Sequence, residues 1–345
     1  MTVAVPAAPL RRLVLLVVSL SCMAGAASAQ VTFTRTPDRV NVDVDGEPFT
    51  AFVIGGEHLN RVHLHPLRAA SGTVVTRSVP AGQVPGETTD HPHHAGLFYG
   101  HGDVNGLNFW AIRNEPPGAT PDEKLGRIVL HELVEMQEGP RSGTIKAVLH
   151  WVTPDGRTLL TERRRMTFHA HPELRIVDVD IDLEAHERAV FGDTKEGTFA
   201  LRVATVLEEP EARRKTGGPP RTGRLRNAQG GEGEKEVWGR RSEWVDYAGV
   251  IDGERVGIVM MDHPSNPRHP TYWHSRGYGL HAINPFGVHD FLNDDSKDGS
   301  LTLDAGQRVR FRYRVAVHPG WSAAQLTDLF REFAATPDAG GTGRR

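Results

Sequence analysis

The sequence predicts an antiparallel β-sandwich closed by one C-terminal helix, and three observations predict it. Val177, Val179, Ile181 and Leu183 alternate with Asp178, Asp180 and Asp182, and Val309, Phe311, Tyr313, Val315 and Val317 alternate with Arg308, Arg310, Arg312 and Arg314. That period of two belongs to strands with one buried and one wet face. Turn dipeptides separate further alternating runs, and helical spacing emerges only near the end of the chain.

Taken in order, residues 1–29 read as a secretory leader, with Arg11-Arg12, an apolar stretch from Leu13 to Leu20, and Ala27-Ser28-Ala29 as the cleavage site before Gln30. Export to the periplasm or beyond is the expected localisation. The one cysteine, Cys22, lies in that leader, so the mature chain offers neither a disulfide nor a thiolate. Strands are expected at Val40 to Val44 before Asp45-Gly46, at Thr144 to Val152 before Pro154-Asp155-Gly156, and at Thr198 to Leu207. Val245 to Ile251 should turn at Asp252-Gly253 into Arg255 to Met261. Residues 209–236, rich in Gly, Pro and charge, read as a long polar loop within one domain spanning 30–335. Ser322 and Gln325 form a capping box before Leu326, Leu329, Phe330 and Phe333, a helix expected to pack on a sheet. Residues 336–345 read as a disordered tail.

The net charge is −3, and two units more negative without the leader, which argues against a nucleic-acid partner. After the leader no run approaches the roughly 18 apolar residues of a membrane span. If the Asp and Arg rows lie on neighbouring strands, they can pair across the sheet as a structural use of charge.

Chemistry is concentrated in two histidine islands. The first is Asp90-His91-Pro92-His93-His94, followed by His101-Gly102-Asp103 and Asn105. Pro92 should hold His91 extended, placing His91 and His93 on one side of the chain and His94 on the other. The second runs from Asp262-His263 through Arg268, His269, Tyr272, Trp273 and His274 to His281 and His289, and can fold back onto the first. Aromatic faces beside Arg, Asn and His suit a sugar ring, and Arg61 and Arg68 could bind a carboxylate. Lys195-Glu196, in Gly192-Asp193-Thr194-Lys195-Glu196-Gly197, places a base and an acid at a strand mouth.

The chain resembles a family labelled methane oxygenase PmoA. The resemblance runs through His65-Pro66-Leu67-Arg68, Asp90-His91-Pro92-His93-His94 with Gly96-Leu97, and His101-Gly102-Asp103-Val104-Asn105-Gly106. It continues through Phe191 to Gly197 and Asp262-His263-Pro264 to His274. It covers most of the mature chain. The true membrane methane monooxygenase subunit spans the bilayer several times, so the label implies no oxygenase activity here. The resemblance implies a sugar substrate instead, because such members occur in bacteria rich in carbohydrate-degrading genes.

The expected protein is therefore an exported sandwich, similar to the sugar-processing supersandwich folds, acting by acid-base chemistry on a sugar, sugar acid or oligosaccharide. Epimerase, lyase and hydrolase activities all fit. His94, His101, Lys195 and Glu196 are the expected proton-transfer set, with Arg68, Asp103, Asn105, Arg268 and His274 positioning the substrate. Two alternatives stand beside it. One is a metal-dependent oxidase or hydrolase holding a divalent ion on His91, His93 and His101. The other is a non-catalytic carbohydrate-binding protein.

Overall fold

The computed structural model describes residues 1, 2, 4, 30–55, 60–112, 120–212 and 220–337. The expected leader, apart from residues 1, 2 and 4, and the tail beyond residue 337 lie outside the described residues.

Strands β1 (Val31–Arg35), β2 (Arg39–Val44), β3 (Glu47–Val53), β4 (His63–Leu64) and β5 (Leu97–His101) follow one another across a first sheet. The chain then crosses to a second sheet for the meander β6 (Arg127–Gln137), β7 (Ser142–Val152), β8 (Thr158–His169) and β9 (Arg175–Ala185). After the short β10 (Ala189–Phe191), β11 (Gly197–Arg202) returns to the first sheet beside β5. β12 (Arg224–Asn227) joins the second sheet, and α1 (Glu234–Val237) leads to β13 (Arg241–Ser242) on the first. β14 (Trp244–Ile251) and β15 (Glu254–Asp262) extend the second sheet, while β16 (Thr271–Trp273) and β17 (Leu280–Asn284) extend the first. α2 (Val288–Leu292), β18 (Leu301–Leu303) beside β10, β19 (Arg308–His318) and α3 (Ala323–Ala334) complete the chain.

The result is an all-β sandwich of a nine-stranded and an eight-stranded sheet, with every pairing between strands antiparallel in the two. Val42, Phe52, Leu97, Tyr99 and Phe199 from one sheet meet Trp151, Val179, Ile181, Phe311 and Tyr313 from the other in a continuous core. Each such side chain contributes about 1.5–3 kcal/mol when fully buried. The Asp45-Gly46 and Asp252-Gly253 turns carry positive φ at both residues, the backbone that a tight right-twisted hairpin requires.

The two charged rows pair as their alternation suggested. β9 and β19 are neighbours in a register that sets Asp178 against Arg314 and Asp180 against Arg312. Arg314 grips Asp178 through two bonds of 2.6 and 2.8 Å, and Arg310 and Arg312 both reach Asp180. α3, with both halves of its capping box formed, lays Leu326, Leu329 and Phe333 over Trp244, Val259 and Met261 on the outer face of the second sheet.

Two expectations are corrected, and one buried pair is new. The strand from Thr198 ends at Arg202, and Thr205–Leu207 form a 3-10 turn. The segment 209–236 is more than a polar loop: Leu225 is fully buried on β12, and Arg221 is buried against Glu208 at 2.6 Å. Residues 213–219 of it lie outside the described residues. Glu162 and Arg164, which nothing in the sequence marked, point into the sandwich, where Glu162 accepts from Trp151 Nε1 at 2.9 Å and from Arg164 Nε at 2.6 Å.

Candidate functional site

β5 and β11 pair with Leu97 opposite Leu201 and His101 opposite Gly197, so the loop before β5 and the corner before β11 sit at opposite ends of the pair. On the outer face of this sheet Phe98, Ala200, Leu280 and Ala282 form a small apolar cluster with Trp110, separate from the core. The first histidine island folds back over it. His94 lies parallel to Phe98 with ring centres 6.5 Å apart and edge-on to Trp110 at 5.7 Å.

His91, His93 and His94 converge, contrary to the extended geometry expected of His91. His91 takes a positive φ of 45° and its carbonyl accepts from the His94 N–H at 3.0 Å, closing a turn around Pro92. The His91 ring consequently stacks on His94 at 5.1 Å, and the His93 ring meets His94 edge-on at 4.1 Å. Gly96 makes the return into β5 possible: its φ is positive, and a side chain there would strike the Leu64 carbonyl.

Two arginines pin this loop by its backbone and a third by the Asp90 side chain. Arg77, fully buried, donates to the carbonyls of Asp90 at 2.6 Å and His91 at 2.8 Å. Arg61 donates to the carbonyls of His93 and Trp110 while lying 3.9 Å over the Phe98 ring. Arg202, also fully buried, reaches the Asp90 carboxylate at 3.0 Å and lies over Tyr278. Burial works against the Asp90 charge, but His91, Arg202 and Arg77 together hold its carboxyl well below the usual range.

The opposite corner is pinned too. Asn284 donates to the carbonyls of Thr194 and Lys195 at 2.9 Å each, and Asp290 accepts from the Lys195 N–H at 2.9 Å. Glu196 thereby reaches the histidines. Among the described residues, His93, His94 and Glu196 bring one nitrogen or oxygen each to within 4.8 Å of one another. His93 and Glu196 are partly exposed, whereas His94 is 1 % exposed with neither ring nitrogen hydrogen-bonded. Burial, followed by the neighbouring His93 and Arg202 charges, pushes the His94 pKa well below the ordinary histidine range, so its imidazole is neutral with a lone pair available.

Several expected site residues are elsewhere. His101 shares the inward parity of Leu97 and Tyr99. It packs between Phe191 and Phe286 and bonds the Gly192 carbonyl at 2.8 Å, so it belongs neither to the proton-transfer set nor to a metal trio with His91 and His93. His91 leaves that trio as well, its Nδ1 lying 2.6 Å from Asp90. The Lys195 ammonium faces Asp290 at 3.6 Å. Asp103 accepts from the Gly106 N–H, closing a turn on itself, and Asn105 bonds the Arg188 carbonyl and Val190 N–H, tying that turn to β10, each at 2.8 Å. Arg268 is spent on the carbonyls of Pro285, Gly299 and Ser300, and Arg68 on that of Gly72.

The second island disperses. His263 sits against Phe333 of α3, His269 on Asp262 at 2.8 Å, and His289 on Asp193 at 2.8 Å. His281 is inside the sandwich, stacked on Trp273. His289 thus comes to the Glu196 corner through Asp193, whereas His274 packs edge-on to Trp238 and Phe291 rather than facing a substrate site.

A family model spans residues 39–331. The chain belongs to DUF6807, a family of unknown function. That match corrects the resemblance to the methane oxygenase PmoA label, to which nothing in the comparisons points. No curated protein matches this DUF6807 chain. Among solved structures it is similar to a galactose mutarotase-like protein from Clostridium acetobutylicum, with 9% identity over 84% of this chain and 99% of the other and a TM-score of 0.41. It is also similar to the GH36 alpha-galactosidase AgaA from Geobacillus stearothermophilus, with 10% identity over 84% of this chain, 40% of the other and a TM-score of 0.37. A galactose mutarotase related enzyme from Lactobacillus acidophilus matches with 8% identity over 84% and 97% of the two chains at a TM-score of 0.30. The DUF6807 chain thus spans two-fifths of the galactosidase, and likeness this distant assigns no residue a role. No helix among the described residues is long and apolar enough to cross a membrane.

Proposed function

We propose that this chain is an exported, carbohydrate-active protein whose reaction centre is the His93–His94–Glu196 cluster. The observation that carries the reading is His94, a buried imidazole whose two nitrogens bond nothing in the fold, set beside a carboxylate that the opposite corner delivers. A buried polar group left unpaired costs about 1–3 kcal/mol, and active sites are where such a cost is retained. Export is supported by the pattern of residues 1–29 alone.

The arrangement suits acid-base chemistry on a polyhydroxylated ring. Glu196, partly open to solvent, takes a proton from a sugar carbon or hydroxyl, and the imidazoles of His93 and His94 exchange one with the group opposite. The arginine-pinned loop fixes the geometry before a ligand arrives. Epimerisation, elimination and hydrolysis each draw on such a pair.

The test is conversion of a panel of free sugars, sugar acids and oligosaccharides, followed by NMR. Glu196→Gln is expected to lower turnover about 100-fold or more, the contribution of a positioned acid or base, while Tm stays within about 2 °C because Glu196 is partly exposed. Undiminished turnover in Glu196→Gln, or a wild type that binds no sugar at all, would sink the reading.

A further inference from the structure

We infer that His93, His94 and Glu196 together bind a divalent ion of the zinc class, with a coordination position left open toward solvent. The inference rests on the reading of this cluster as the reaction centre and names the cofactor that the centre takes.

Two independent observations meet here. The first is the donor set, two imidazoles and one carboxylate with a ligand atom each inside a common 4.8 Å. Tetrahedral zinc with bonds of roughly 2.0–2.1 Å holds its ligands roughly 3.4 Å apart, so closing the set needs side-chain rotation of little more than an ångström shared among three residues. The second is His94 itself, buried to 1 % exposure with both ring nitrogens unbonded. In a hydrogen-bonded core such a ring is anomalous, and an ion beside it gives one nitrogen the partner that the protein withholds.

The surrounding architecture is that of a rigid holder. Arg77 and Arg61 fix the carbonyls of Asp90, His91 and His93 from below, so the adjacent residues 93 and 94 present their rings from one tight turn. Asn284 fixes the carbonyl of Lys195 and Asp290 its N–H, one residue before Glu196. Three protein ligands with a mixed nitrogen and oxygen set, one edge open through His93 and Glu196, leave room for a water or a substrate oxygen. An ion held there would polarise a sugar hydroxyl or carbonyl, or lower the pKa of a bound water so that it serves as the base.

Among the described residues a competitor for metal is the stacked pair His131 and His150 on the second sheet, with ring centres 4.1 Å apart. The experiment separates the two. The untagged mature protein, stripped with chelator, is titrated with Zn2+ by calorimetry and with Co2+ by its visible absorption. One saturable site is expected, with the intense absorption of tetrahedral cobalt, and His94→Gln and Glu196→Gln should each weaken it at least about 100-fold by removing one of three ligands. His150→Asn should leave it unchanged. His93→Gln, at a partly exposed position, repeats the test should His94→Gln fail to fold.

Absence of saturable binding, or binding lost in His150→Asn and kept in His94→Gln, overturns the metal site. Sugar conversion by the chelator-stripped protein would overturn the ion's place in catalysis and leave the acid-base reading standing. Conversion that survives Glu196→Gln while the cobalt spectrum is lost would overturn the reaction centre and leave the metal site standing.

Discussion

Acidification from pH 7 to about pH 4.5 is expected to unfold this protein cooperatively. His63, His101, His274 and His281 are each buried, and burial before any other cause pushes their pKa values down to about 3, 4, 3 and 4. In an unfolded chain the same residues titrate near 6.5. Between those limits the unfolded state binds protons that the fold excludes, so stability is intact above about pH 6.5 and falls as the pH falls. Each histidine contributes about 1.4 kcal/mol per pH unit, and four together about 5 kcal/mol per unit, against a total stability of about 5–15 kcal/mol. Asp178 and Asp246 act in the same direction at lower pH. Burial opposes their charge, but Arg314 with His169, and His318 with Arg226, hold both carboxyls below the ordinary value, so their contribution is lost as the pH falls through those depressed values. Denaturant titrations from pH 7.5 to 4.5 measure the slope directly. A stability that stays level from pH 7 to pH 5 would show that these imidazoles are not held neutral by the fold.

Glu162→Ala should cost about 3–5 kcal/mol, because it strands a guanidinium inside the sandwich. Arg164 is 5 % exposed and Glu162 is fully buried; the carboxylate is the acceptor for Arg164 Nε and for Trp151 Nε1. Replacing both members with apolar residues of similar volume, Glu162→Leu with Arg164→Met, should recover most of that loss, since an apolar pair carries no desolvation penalty. The comparison is made on urea midpoints with the m-value held constant. Equal losses in the single and double variants would mean that shape, not charge, is what the position supplies.

The parts of this molecule legible in its sequence are those where one face is wet. β9 and β19 declared themselves because Asp and Arg occupy alternate positions, and α3 because its cap and apolar stripe coincide. β5 gave no such help: Leu97, Phe98, Tyr99, Gly100 and His101 are all buried, so nothing in the composition says which parity faces the core. His101 was misplaced for that reason: its parity mates Leu97 and Tyr99 are no more apolar than Phe98 on the other face. The convergence of three histidines depended on a left-handed backbone at His91, which the rule for residues preceding proline disfavours. Arg61 and Arg77 were missed as loop clamps because most of their partners are backbone carbonyls, and a carbonyl has no signature in a sequence; Arg202 was missed because its partners Asp90 and Glu208 are reached only through the fold. Glu196 was found through its neighbours in a motif, while its meeting with His93 and His94 from the far end of a strand pair is a tertiary fact.

The Asp–Arg ladder between β9 and β19 has a kinetic consequence. Its rungs repeat every two residues, so sliding one strand by two positions still sets Arg310 against Asp180 and Arg312 against Asp178, and the outer face discriminates poorly between the native alignment and its shifted copy. Discrimination falls to the inner row, where Tyr313 stacks on Phe199 at 4.5 Å and a shift would break that contact. Exchanging one rung, Asp180→Arg with Arg312→Asp, keeps the aligned pair and makes the shifted one bring like charges together; any slow refolding phase should shrink, and an unchanged amplitude would argue that misalignment is not its source. A pattern that makes these strands easy to recognise thus also makes them easy to misthread, and the aromatic contact between the sheets acts as the proofreader.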